Sequence, residues 1–191
     1  MTKKEDLRVI KTKRNIEDTF LKLLDTTSFE KITVRLILEK ALISKGTFYS
    51  HYMDKYDLAQ KVIDGYLENF RSNISARLKR ITSQVSYEVL WEVCKDTIYM
   101  LINDMKRLKK IYIEDFDIEI SIKKIWKEEY ESYIKSVKGD SKNIGLKSSI
   151  VAALAMEYMN YIHESGEVIE IYDYIKSVHE ISEQYLDCIS V

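Results

Sequence analysis

Apolar residues return along this chain at intervals of three and four for most of its length, the spacing that gathers one face of an α-helix. Val9, Ile16, Phe20, Leu23 and Leu24 share such a face, and Thr26, Thr27 and Ser28 close the segment, so a first helix is expected there. Thr33 stands where it can cap a short second helix whose inner side is Leu36, Ile37 and Ala41. Ser44 can cap a third, with Phe48 and Tyr52 facing inward. Two short helices joined by about three residues make a helix-turn-helix. Asp54 and Asp57 form a variant of the capping box, and behind them Leu58, Val62, Tyr66, Phe70, Ile74 and Leu78 descend in steps of four. A helix from Lys55 to about Lys79 would be roughly 38 Å long, enough to leave one module and enter another.

The helical spacing continues beyond residue 80. Tyr87, Leu90, Trp91, Cys94, Ile98, Leu101 and Met105 form one stripe, and Ile118, Ile122, Ile125, Trp126, Tyr133 and Val137 another. The basic stretch Lys106, Arg107, Lys109 and Lys110 between them is read as a solvated corner, with a phosphate contact as the other reading. Gly139 and Gly145 bracket a polar loop, Ile144 to Ile162 is apolar on more than one side, and Gly166 ends that region before a last helix carrying Val168, Ile171, Ile175, Val178, Ile181 and Tyr185. A helix that is apolar nearly all round must be covered on both faces, by a large core or by another chain. The last two helices are therefore expected to form a dimerisation surface, four helices about a two-fold axis, with Ile150, Leu154, Tyr158, Ile175 and Val178 in it. The alternative is a buried central helix in a monomer.

Composition agrees with an all-α reading. The 191 residues include no proline and 5 glycines, where average usage would give roughly ten and thirteen, which disfavours turn-rich β architectures. The longest apolar run, Ile150 to Met156, is far short of the roughly 18 residues a membrane-spanning helix needs. The charged start, MTKKEDLRVIKTKRN, has no apolar block behind it, so no secretory signal and a cytoplasmic address are expected. Cys94 and Cys188 sit apart among apolar neighbours, which favours two buried thiols over a disulfide.

Net charge is −1, but its distribution is uneven. Residues 3–14 carry six Lys or Arg against Glu5 and Asp6, and residues 31–55 carry five against Glu39 and Asp54, whereas from residue 61 onward 18 basic residues meet 22 acidic ones. A basic amino-terminal third on an acidic remainder is the asymmetry expected when one end meets an anion such as a nucleic-acid backbone.

Catalytic and metal chemistry find little support. His51, His163 and His179 lie far apart, no CxxC or HExxH spacing occurs, and His179 with Glu183 is an ordinary i, i+4 pair. There is no GxSxG or GxGxxG, and Gly139 to Gly145 is one residue too long for a phosphate loop, with Leu146 where its lysine would follow. No enzyme, metal or cofactor is expected.

Residues 32–58, ITVRLILEKALISKGTFYSHYMDKYDL, carry the sharpest signal. Thr33, Ser44, Gly46, Thr47, Phe48, Tyr49, His51, Tyr52 and Lys55 reproduce a pattern that resembles the DNA-binding module of the TetR/AcrR family of bacterial transcriptional regulators. The variant GTFYSHYMDKYDL is similar to a subgroup that includes regulators of dihydroxyacetone kinase. The physical reading agrees: Gly46 removes a side chain where the third helix would approach DNA, Ser44 and Thr47 are donors suited to phosphate oxygens, and Lys45 and Tyr49 project from a helix short enough for the major groove. The resemblance adds phosphate or groove roles for Thr33, Arg35, Thr47, Tyr49, His51 and Lys55, with Phe48 and Tyr52 as core. Leu38 and Leu42 depart from the family, which often has Ala in the second helix and Gly in the turn. A leucine at positive φ is costly, so a turn of different shape is expected here.

The resemblance implies a DNA-binding domain at residues 1–54 and a helical effector-binding and dimerisation domain at 55–191. It implies a homodimeric repressor with modules about 34–36 Å apart on successive grooves of duplex DNA. A small-molecule effector would change that separation by moving the fourth helix. Tyr66, Trp91, Met105, Trp126 and Tyr130 are candidate pocket residues, and plain core is the competing reading of the same stripe. The alternative is a DNA-binding co-activator whose carboxy-terminal domain takes a protein partner instead of a small ligand.

Overall fold

The structure is a computed structural model that describes residues 7–81, 100–114, 116–139, 142–167 and 169–189. All regular structure among them is helical: α1 (Leu7–Thr26), a 3-10 turn (Phe29–Lys31), α2 (Val34–Ala41), α3 (Lys45–Tyr49), α4 (Lys55–Ile81), α5 (residues 100–108), α6 (Ile118–Lys138), α7 (Ile144–Ser165) and α8 (Ile171–Ile189). No helix among the described residues is long and apolar enough to cross a membrane. Tyr87, Leu90, Trp91, Cys94 and Ile98 lie outside the described residues.

The chain packs as two compact units. One takes the chain as far as Phe70 together with Asp104–Ser121, and the other takes Arg71–Asn103 with Ile122–Val191. The first half of α4 therefore packs with the helices before it.

The caps of the first unit follow the sequence. The Thr33 hydroxyl accepts from the Leu36 amide at 3.2 Å, and the Ser44 hydroxyl from the Thr47 amide at 3.1 Å. Asp54 Oδ1 accepts from the amides of Tyr56 and Asp57, both at 2.8 Å. Asp57 in turn takes the Met53 amide at 2.8 Å and the Lys61 ammonium at 3.0 Å. These bonds, the Met53 amide first, hold the Asp57 carboxyl below the usual carboxylate range. Beneath the caps Ile16, Phe20, Phe29, Ile37, Phe48 and Leu58 are fully buried or nearly so.

Leu42 corrects an expectation. Instead of reshaping the turn, it adopts the left-handed conformation itself, at φ 54° and ψ 45°. Two features make this tolerable: its side chain is 90% exposed, so the crowding is local, and the Leu42 and Ile43 amides both donate to the Leu38 carbonyl, closing α2 as a glycine would. The left-handed region costs a non-glycine residue roughly 1–2 kcal/mol, partly offset by the greater unfolded-state entropy of glycine. Leu42→Gly is accordingly expected to stabilise the first unit by about 0.5–1 kcal/mol, a rise of a few degrees in Tm by circular dichroism. A fall in Tm would show that the Leu42 side chain packs against something.

The basic stretch at residues 106–110 lies at the surface, with Lys106, Lys109 and Lys110 exposed and Arg107 half-buried, but most of its cations have partners within the chain. Arg107 grips Asp25 with Nε and Nη2 on its two oxygens at 2.8 and 3.0 Å, and reaches Asp104 at 3.1 Å. Lys110 donates to the Leu24 carbonyl at 2.6 Å, and Lys109 pairs with Glu119. Three of the four cations are thus spent on neighbouring carboxylates and a carbonyl. The Arg107 hydrogen bond lowers the Asp25 carboxyl, whereas burial raises that of Asp104.

In the second unit, Ser148, Ala152, Met156 and Met159 give α7 a buried stripe, and Ser148 donates to Glu131 at 2.7 Å. Tyr158, expected at a dimer surface, is instead taken up inside its own chain. It is 4% exposed, its hydroxyl donates to the Ile169 carbonyl at 2.8 Å, and its ring lies 5.1 Å from that of Tyr174. The reason is that α8 folds back on this side of α7, with the Tyr174 hydroxyl donating to the Leu154 carbonyl at 2.9 Å. α7 ends at Gly166, whose φ of 67° is the left-handed value that favours glycine.

Candidate nucleic-acid interface

α3 has only five residues, too few to hold itself in water, so its neighbours hold it. Phe48 is fully buried beneath it, with the Tyr52 ring at 5.5 Å, and the Tyr52 hydroxyl donates to Glu17 of α1 at 2.7 Å. Burial and the Glu17 carboxylate push the Tyr52 phenol above its ordinary value, so it stays a donor at any physiological pH. Asn15 of α1 donates to the Ala41 carbonyl at 2.9 Å, tying α1 to the end of α2. The helix-turn-helix is in this way fastened from its inner side.

The outer side is left open. Ser44, Lys45, Gly46 and Tyr49 are exposed and Thr47 is half-buried. Tyr49 lies edge-on to Phe48 at 5.4 Å, and the Lys45 ammonium is 5.8 Å from the centre of the Tyr49 ring, which pre-orients both side chains at i and i+4. The Ser44 and Thr47 hydroxyls are 2.8 Å apart. Whichever donates within that pair, the other keeps its hydrogen for an acceptor outside the chain.

Gly46 is the informative position. A methyl group there would meet nothing nearer than the Ser44 hydroxyl oxygen at 3.9 Å, and its backbone is ordinary right-handed helix. Neither space nor conformation inside this chain calls for glycine, although glycine costs a helix about 1 kcal/mol against alanine.

The other expected contacts divide. Arg35 and Thr33 are exposed beside the module, Thr33 already serving as a cap, and His51 is half-buried with its ring 6.3 Å from that of Tyr52. Lys55 turns inward: its ammonium donates to the carbonyls of Phe29 and Glu30 at 2.9 and 3.1 Å and lies 4.6 Å from the centre of the Phe29 ring. Its first task is to close the 3-10 turn.

The chain matches no family model, and no curated protein matches it in sequence. Solved structures do match. The regulatory protein TetR from Rhodobacter sphaeroides superposes with a TM-score of 0.59 at 12% identity, over 86% of this chain and 95% of that one. The dihydroxyacetone kinase operon activator DhaS gives 0.59 at 19% identity, over 92% and 96%.

The chain has the TetR fold.

A TetR transcriptional regulator from Streptococcus agalactiae agrees, with a TM-score of 0.54 at 18% identity over 91% and 94% of the two chains. Within this TetR fold the five pocket candidates scatter by environment. Tyr66 and Met105 are buried in the first unit, where Tyr66 stacks on Phe70 at 6.0 Å and burial raises its phenol. Trp126 and Tyr130 are half-buried in the second, and Trp91 lies outside the described residues. Of the expected dimer residues, Ile150 and Ile175 are exposed and Leu154 and Val178 half-buried.

Sequence reasoning missed two positions that shape the interface. Asn15 and Glu17 both act from α1 on residues 26 and 35 positions away, and nothing in the local spacing of α1 pointed to it.

Proposed function

We propose that this protein is a DNA-binding transcriptional regulator that acts in the cytoplasm as a homodimeric repressor, with residues 1–54 reading DNA and 55–191 serving effector binding and dimerisation. The carrying observation is the outer face of α3: Ser44, Lys45, Thr47 and Tyr49 point outward around a glycine that nothing in the chain requires. A glycine retained at a cost marks a close approach by something external, and the TetR fold makes duplex DNA the natural candidate. Lys45 and Tyr49 are assigned to the groove. Thr33, Arg35, Ser44, Thr47 and His51 are assigned to the backbone, with Lys55 positioning the module.

Dimerisation is assigned to the outward faces of α7 and α8. Leu146, Ile150 and Tyr161 on one, and Ile175, Ile181 and Tyr185 on the other, are exposed apolar residues that fall on one side of each helix. Tyr158 leaves the proposed surface, and Ile150, Leu154, Ile175 and Val178 stay. The effector reading keeps Tyr66 and Met105, and separately Trp126 and Tyr130, each within its own unit. α4, which contributes residues to both units, is the element an effector would shift. A preference of about 3 kcal/mol for the non-binding state suffices for a roughly 150-fold loss of operator affinity.

One observation favours a second reading, a co-activator whose carboxy-terminal domain binds a protein partner: the structural likeness to DhaS, which is described as an operon activator.

Selection of bound duplexes from a random pool, at two salt concentrations, tests the proposal. The expected product is a palindrome with half-sites about one helical turn apart, bound more weakly at high salt by a species of about twice 22.6 kDa in sedimentation. No enrichment at either salt, or a monomer at micromolar concentration, would overturn it.

A further inference from the structure

Lys61, on the second turn of α4, makes three contacts with one ammonium group. It donates to the His51 carbonyl at 3.0 Å and to Asp57 Oδ2 at 3.0 Å, and it lies 5.2 Å from the centre of the Tyr52 ring. The same Asp57 oxygen accepts the Met53 amide at 2.8 Å. One side chain of α4 therefore holds three consecutive residues: His51 by its carbonyl, Tyr52 by its ring, and Met53 by way of Asp57. They follow directly on Ser50, the residue that caps the end of α3.

The other bonds at that end do a different task. The last carbonyls of a helix have no partner within it, and those of α3 turn to the residues next along the chain. The Gly46 carbonyl accepts from the Ser50 amide at 3.0 Å, the Thr47 carbonyl from the Ser50 hydroxyl at 2.7 Å, and the Phe48 carbonyl from the His51 and Tyr52 amides at 2.9 and 3.0 Å. Such bonds travel with α3, so they set its shape and leave its direction open. Direction needs partners on other elements. Glu17 of α1 supplies one through the Tyr52 hydroxyl, and a five-residue helix held at one polar point can still pivot about it. Lys61 supplies a second point from α4.

Stability does not account for this lysine. Its side chain is 50% exposed, and ion pairs so open to water contribute little to folding. What three contacts on one atom do supply is geometry.

We propose that Lys61 is a positioning residue for base readout, which fixes the angle at which α3 presents Lys45 and Tyr49 and touches no DNA itself. It rests on the regulator reading and adds to it a residue that sets discrimination between sequences, not affinity for duplexes at large. The two separate because hydrogen bonds to base edges are directional, whereas phosphate charge is spread along the backbone and tolerates a tilt.

The test compares wild type with Lys61→Met on two duplexes, one enriched from a random pool by the wild-type protein and one scrambled at the same length and composition. Each is titrated between about 50 and 200 mM salt. Methionine keeps the apolar stem and is as good a helix former as lysine, so Tm is expected to move by no more than a few degrees. Affinity for the enriched duplex is expected to fall about 5- to 10-fold, the lower end of what one good base contact is worth, while the scrambled duplex and the salt slope stay as in wild type. Asp57→Asn is expected to lose part of the same discrimination, and the double variant no more than Lys61→Met alone.

Unchanged discrimination in Lys61→Met, or additive losses in the double variant, overturns the positioning role and leaves the regulator reading intact. A slope shallower by about 0.9, with both duplexes weakened alike, overturns it in favour of a phosphate contact. A lowered Tm with both affinities reduced in the same proportion overturns it in favour of a purely structural lysine. A wild-type protein that enriches no duplex overturns the regulator reading, and the positioning role with it.

Discussion

Phe48→Ala is expected to cost the first unit about 3–5 kcal/mol, the range for emptying a fully buried phenylalanine site. That is a large part of the roughly 5–15 kcal/mol that holds a typical domain together. The cost is high here because the site cannot collapse. Phe48 lies on a five-residue helix fixed at its start by the Ser44 cap and at its end by the Tyr52 to Glu17 bond, so the backbone is held away from the cavity. Urea unfolding followed by far-UV circular dichroism checks the loss directly. A loss below about 1 kcal/mol would mean that Phe48 is not close-packed beneath α3.

Substitutions on the outer face of α3 are expected to do the opposite, leaving the fold and removing the function. Tyr49 is 48% exposed, so Tyr49→Ala should leave the midpoint of unfolding nearly unchanged while weakening binding to a selected operator by about 5- to 150-fold, the worth of one good base contact. Gly46→Ala is the sharper case. Its new methyl group fits the chain and favours helix, so stability is expected to rise by as much as about 1 kcal/mol while operator affinity falls. Binding titrations and urea curves on the same preparations separate the two quantities. If Gly46→Ala stabilises the protein and leaves operator affinity unchanged, the duplex does not approach α3 at this point.

Local spacing and capping were enough to place the elements and the signal-bearing segment. Steps of three and four place the helices, Thr33, Ser44 and Asp54 mark their starts, and Gly166 marks an end, because capping and periodicity are local physics that a few neighbouring residues decide. The residues that α3 displays were legible for the same reason: within one short helix, spacing alone separates Phe48 from Lys45 and Tyr49. What the tertiary structure decided is everything that depends on partners far along the chain. Arg107 was one cation in a basic run until folding set it against Asp25, 82 residues away. Lys55 carries a family motif position, yet the carbonyls of Phe29 and Glu30 turn it inward. Tyr158 has the spacing of a surface stripe but is covered by the return of α8. Leu42 is the local exception: an exposed side chain and two amides on the Leu38 carbonyl let a leucine take the left-handed turn against its own preference.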